Sequence, residues 1–92
     1  MSDYQVPDNK PGNYYVSVMR DDGQYRLLLG PFVNDHKAAL NLVNAVRRKA
    51  EDLDPRACWY AFGSCRLEPD AAAPAGILNK FFPEAFKVKE IA

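Results

Sequence analysis

From Tyr14 to Gly30 two runs rich in apolar, β-favouring residues flank one polar interruption at Asp21-Asp22-Gly23. A period of two is what a half-buried strand requires, because successive side chains point to opposite faces. The stretch GNYYVSVMRDDGQYRLLLGPF, residues 12–32, therefore predicts a β-hairpin with strands over residues 14–20 and 24–30. Asp22-Gly23 suits a type I′ turn, since both central positions need φ > 0. That turn sets Arg20 opposite Tyr25, Val18 opposite Leu27 and Val16 opposite Leu29. Tyr14, Val16, Val18, Leu27 and Leu29 then share the better core face, while Tyr15, Ser17, Met19, Arg26 and Leu28 share the other.

Gly30-Pro31 stops the hairpin, and the period then changes. Ala39, Val43, Val46, Ala50 and Leu53, with Leu42 alongside, make one apolar stripe from His36 to about Glu51. That spacing predicts an amphipathic helix, with Asn34 or Asp35 as its N-cap. Asp54-Pro55 ends it, because the residue before proline avoids the α region. Ala57 to Leu67, aromatic-rich, predicts a third strand. A right-handed crossover sets this strand parallel to the second, in the free slot beside the first. The expected fold is α+β: ββαβ with a three-stranded sheet of order 2-1-3 and one helix on one face.

The ends differ in character. Residues 1–12 carry Pro7, Pro11 and Gly12 among polar residues and predict a flexible lead-in to the 13–67 domain. Residues 68–92 open as a linker, EPDAAAPAG, and continue into an apolar arm expected to pack on the domain or on a partner. Within it, Ile77, Leu78, Phe81 and Phe82 would share a face of a short helix limited by Pro83. Val88 and Ile91 extend the apolar character.

Composition narrows the function classes. The 92 residues, 48% hydrophobic and 26% charged, suit one globular domain near the small end of what folds unaided. Lys+Arg and Asp+Glu balance at 12 each, which disfavours both bulk attraction to nucleic acid and an acidic nucleic-acid mimic. No apolar run approaches the ~18–20 residues of a membrane span, and the polar N-terminus lacks the order of a secretion signal. The expected compartment is the cytoplasm. Cys58 and Cys65, seven residues apart on one strand, would lie roughly 23 Å apart, against the about 4.4–6.8 Å of a disulfide. They are expected as free, buried or half-buried thiols.

The chemistry candidates are few. His36 is the only histidine, so a metal site or a nucleophile–histidine pair lacks its parts; the expectation is an exposed residue in the first helical turn. Asp21 and Asp22 sit where turns choose Asp for backbone reasons. Gly30-Pro31 has no following Lys-Ser/Thr, so no phosphate cradle is expected. Arg47-Arg48-Lys49 is the most basic run, but consecutive helical residues fan out by about 100°. Its charges suit a helix C-terminus and would also suit phosphate or an acidic partner, extended by Arg26, Lys37, Arg56 and Arg66. Tyr14, Tyr15, Tyr25, Trp59, Tyr60 and Phe62 put many aromatics on three strands; one helix covers only one sheet face. Aromatics left exposed would stack on bases or anchor a protein interface. No catalytic, cofactor or metal site is predicted, and the chain is not expected to be an enzyme.

Two resemblances attach to these residues. YRLLLGPFVNDHKAALNLVNAVRRKA looks like half of a SPOR-type peptidoglycan-binding module, in which a strand ending Gly-Pro-Phe feeds an Ala/Leu-rich helix. It covers less than a third of the chain, without the first repeat's helix or a membrane anchor. YYVSVMRDDGQYRLLLGPF with WYAFGSCRL, spanning about residues 13–67, resembles small accessory proteins of phages and prophages. That group includes anti-CRISPR proteins, which act mostly by occupying a surface of a Cas protein or Cas–RNA complex. This second resemblance implies a counter-defence binding protein in the host cytoplasm. Its contacts would be Arg26, Lys37, Arg47, Arg48 and Lys49 toward phosphate or acidic surface, with Tyr15, Trp59 and Tyr60 as packing anchors. Two other classes stand beside it: a stand-alone nucleic-acid-binding module using the open sheet face, and a structural homodimer using the tail or an edge strand.

Overall fold

The computed structural model describes residues 7–8 and 10–86. Strand β1 (Asn13–Met19) lies centrally in a three-stranded sheet, between β2 (Tyr25–Val33) and β3 (Ala61–Leu67). Helix α1 (His36–Leu53) connects β2 to β3. Because β1 is antiparallel to both neighbours, β2 and β3 run the same way, as a crossover through α1 demands. The ββαβ plan with order β2-β1-β3 is the α+β fold that the hydrophobic pattern predicts.

The hairpin closes differently from expectation. Met19 pairs with Tyr25, Val18 with Arg26 and Ser17 with Leu27. Arg20 N donates to Gln24 O at 2.8 Å, and Gly23 N to Arg20 O at 3.0 Å, so Asp21-Asp22-Gly23 is a three-residue loop. Gly23 holds φ at 83°, the left-handed residue that closes such a loop, and no type I′ turn forms. This one-residue slip moves Arg26 and Leu28 to the helix side, with Val18. Tyr25 goes to the far side, where its hydroxyl meets Ser17 Oγ at 3.0 Å. Between Ser17 and Val16 the register shifts, so that Val16 opposes Leu29 as the pattern predicts. Leu28 is the extra residue, and both Leu28 and Leu29 are buried.

Strand β2 does not stop at Gly30-Pro31 but continues through this cis peptide bond to Val33. Gly30 is at φ 144°, and a Cβ there would lie 2.6 Å from the Tyr15 ring and 2.8 Å from Tyr14 O. No side chain fits.

Asp35, not Asn34, caps α1: its Oδ1 accepts from Ala38 N at 3.1 Å. Asn34, at φ 55°, instead holds Gly12 through a reciprocal pair of hydrogen bonds. The apolar stripe buries Ala39 and Val46 against Tyr14, Val16, Val18 and Leu29, with Leu42, Val43 and Ala50 packed alongside. Leu53, the last residue of the stripe, overhangs and is exposed. After Asp54 the chain makes a 3-10 turn, Pro55–Trp59, because Asp54 Oδ1 accepts from Arg56 N at 3.1 Å and Pro55 starts the turn. Strand β3 therefore begins at Ala61 instead of Ala57. Cys58 lies on that turn and is exposed, Cys65 is half-buried on β3, and both are free thiols. The one-strand separation does not apply to them.

Downstream of β3, residues 74–82 form a strap along the outer edge of β2. Gly76 N donates to Gly30 O, Ile77 N to Leu27 O and Leu78 N to Leu28 O, at 3.1, 3.1 and 2.8 Å. Asn79 clamps Gly30 from both sides, its Oδ1 accepting from Gly30 N at 3.0 Å and its Nδ2 donating to Gly30 O at 2.5 Å. The expected short helix is replaced by 3-10 turns at Asn79–Phe81 and Pro83–Phe86. Leu78 is buried while Ile77 is exposed, so they do not share a face. Phe86 stacks on Phe32, with ring centroids 5.3 Å apart. In the lead-in, Tyr14 Oη donates to Lys10 O at 2.6 Å, which ties that part to the sheet. Residues 1–6 of the expected flexible segment, and Val88 and Ile91 of the apolar arm, lie outside the described residues.

Candidate functional site

An open groove of about 300 Å³ lies at the end of the molecule where the hairpin turns. Val18, Leu28 and Phe62 contribute to it from the three strands, and Ala50 and Leu53 from the last turns of α1. Ala57 comes from the 3-10 turn, Ile77 and Leu78 from the strap. Four polar side chains complete the lining: Arg20, Arg26, Asp54 and Tyr60. Leu53 and Ile77 on its lining are 53% and 60% exposed.

The polar groups are not equally engaged. Asp54 is spent on structure, its Oδ1 taken by Arg56 N and its Oδ2 by the Tyr60 hydroxyl at 3.1 Å. Arg26 is exposed; Nη1 donates to Tyr25 O at 3.1 Å and Nη2 to Gln24 Oε1. The Arg20 guanidinium lies 5.8 Å from the Tyr60 ring centroid, within cation–π range. Its Nη2 forms an ion pair with Asp22 Oδ2 at 3.6 Å. Its Nε is buried and has no hydrogen-bond partner. Arg20 thus has Asp22 as its ion-pair partner, Asp54 has Arg56 at 3.8 Å, and Arg26 meets neutral oxygens.

Of the contact residues expected from sequence, Arg26 and Tyr60 reach this groove. Trp59 is 78% exposed on the 3-10 turn whose Ala57 and Tyr60 line it, and is not on the sheet. Tyr15 is fully buried, its hydroxyl donating to Pro74 O at 2.7 Å, so it is not a surface anchor. Lys37 is exposed in the first turn of α1, about 15 Å along the axis from Arg47. Arg47 pairs with Glu51 at 3.2 Å, and Lys49 Nζ sits 4.5 Å from the Phe81 ring centroid. Arg48 is exposed on its own side of the helix. The three-residue basic run therefore does not form one patch. Arg20 supplies the second charge at the groove, and in sequence it reads only as the last residue before a turn.

His36 is buried rather than exposed. It stacks on Tyr14 with centroids 4.7 Å apart; Nδ1 accepts from Asp8 N at 2.7 Å, and Nε2 shares a hydrogen bond with Ser64 Oγ at 2.8 Å. With Nδ1 accepting, the neutral ring carries its proton on Nε2 and donates to Ser64. Burial pushes the Cys65 thiol above its ordinary range, opposed by hydrogen bonding with Ser17 and Tyr25. Among the described residues no group of three or more His, Cys, Asp and Glu side chains converges as a metal site would need. No helix of the described residues is long and apolar enough to cross a membrane. No family model, curated protein or solved structure matches the chain.

Proposed function

We propose that this chain works by docking: it occupies a surface of a larger partner, and that partner is a Cas ribonucleoprotein of a bacterial host. The observation that carries the docking reading is the exposure of Trp59, the chain's only tryptophan, on the turn that borders an open apolar groove. An indole held in water by a short capped turn, with Leu53 and Ile77 also bare, is the composition of an interface hot spot before its partner arrives. Arg20 and Arg26 add orientation and association rate. The choice of partner class rests on the resemblance of residues 13–67 to small phage accessory proteins.

The test mixes the full chain with purified type I Cas complexes and target DNA. Co-elution with a complex, together with loss of target binding, is the expected result. Trp59→Ala should weaken the association by about tenfold or more while the fold is retained. Absence of co-elution with unchanged DNA binding would eliminate the Cas reading. The nucleic-acid-module alternative draws no support from Tyr15, whose burial removes it from the sheet's stacking surface.

A further inference from the structure

We infer that the groove between the hairpin end, the last turns of α1 and the strap receives a short partner segment that joins bulky apolar side chains to a carboxylate. The inference deepens the docking reading and rests on it, but not on the partner being a Cas complex. Val18, Leu28 and Phe62 offer apolar contact and little hydrogen bonding, so the inserted part must be apolar. The polar lining carries two guanidinium groups and one carboxylate; with their ion-pair neighbours, Asp22 at 3.6 Å from Arg20 and Arg56 at 3.8 Å from Asp54, three guanidinium groups stand against two carboxylates. A basic segment would meet net repulsion there. A neutral one would leave the excess positive charge unbalanced, since Arg26 donates to the neutral oxygens of Tyr25 and Gln24. A carboxylate balances that charge.

A polypeptide fits better than a small amphiphile because the apolar surface does not stop at the groove. Leu53 and Ile77 at its margins and Trp59 on the adjoining turn are 53%, 60% and 78% exposed. A single acyl chain filling the about 300 Å³ would contact Leu53 and Ile77 but leave Trp59 wet; a segment with flanking residues covers all three.

The test is a titration of the isotope-labelled full chain, followed by amide shifts. Its three probes are a capped peptide alternating Glu with Leu and Phe, the same peptide with Lys for Glu, and decanoate. The acidic peptide should move the amides of Leu28, Ala50, Leu53 and Leu78, and the Lys peptide should not. Arg20→Gln should weaken acidic-peptide binding by about tenfold or more. Where that variant loses shift dispersion, Arg26→Gln, at an exposed position, takes its place with a smaller loss in the same direction. Equal binding of the Lys peptide, or no shift with either peptide, would overturn the inference. So would decanoate moving these amides when the acidic peptide does not, which would make this an amphiphile site. Peptide binding in a chain that fails on Cas complexes keeps the groove assignment and discards only the partner class. A retained Cas complex with no peptide response does the reverse.

Discussion

His36 uses both ring nitrogens inside the fold, one toward Asp8 N and one toward Ser64 Oγ, while its face lies on Tyr14. Replacing it by alanine strands a part-buried N–H and removes the stack. The expected loss is about 1–3 kcal/mol by urea unfolding; an unchanged midpoint would show that these His36 contacts contribute nothing to stability. The two thiols should separate cleanly. Cys58 is exposed and should react with a disulfide reagent at once, whereas Cys65 is half-buried with its thiol pushed up, and should lag until the chain unfolds. Burial likewise raises both buried phenols above 10.0; the Asp8 charge lifts Tyr14 further against Arg66, and Cys65 lifts Tyr15. These groups ionise more readily in the unfolded chain, so folding loses free energy as pH climbs through the raised values. Stability should begin to fall above pH 9.0, where the unfolded Cys65 thiol ionises, and more steeply above 10.0. Urea midpoints measured from pH 7 to 11 check this, and Cys65→Ser should remove the first part of the decline.

Element by element, the strap and β2 depend on two positions without side chains. Gly76→Ala would bring a Cβ to 2.6 Å from the Leu28 backbone, and Gly30→Ala adds a clash with Tyr15 to a φ of 144°. Each should destabilise by several kcal/mol, about the range of strained core substitutions, more than Asn79→Ala at about 1–3 kcal/mol. Thermal melts of the three variants should rank them so. Helix α1 was legible because Ala39, Val46 and Ala50 recur at the helical period and Asp54-Pro55 marks its end. The loop type was not, because Gly23 supplies a positive φ to a I′ turn and to a three-residue loop alike. That ambiguity propagated: one residue of slip exchanged Leu27 for Leu28 in the core and carried Arg26 to the helix side. The start of β3 was misread since aromatic content marks strands, whereas the Asp54 cap and Pro55 wind Cys58 and Trp59 into a turn. The groove itself was illegible. Its lining joins Arg20, Ala50 and Ile77, which no local pattern connects.

At the scale of the molecule, a 92-residue chain has a net stability of about 5–15 kcal/mol, so the strap matters. Ending the chain after residue 73 removes buried Leu78 and half-buried Phe82 from the core and uncovers Leu28. Full burial of one such side chain contributes about 1.5–3 kcal/mol. The shortened chain should melt far lower and with less cooperativity; an unaltered melting curve would refute a structural role for residues 74–86. Trp59→Ala, by contrast, should stay within about 0.5 kcal/mol of the parent, since so exposed a side chain has little packing to lose.

Asymmetry between the two borders of the sheet limits what this protein can build from itself. Along β2 the backbone oxygens of Leu27, Leu28 and Gly30 already belong to the chain's own strap, while β3 forms the opposite border of the three. Ladder-wise growth needs two vacant sides per copy, and here one is sealed from within. Among the described residues, strand-to-strand self-association through the β3 border would therefore terminate at a pair.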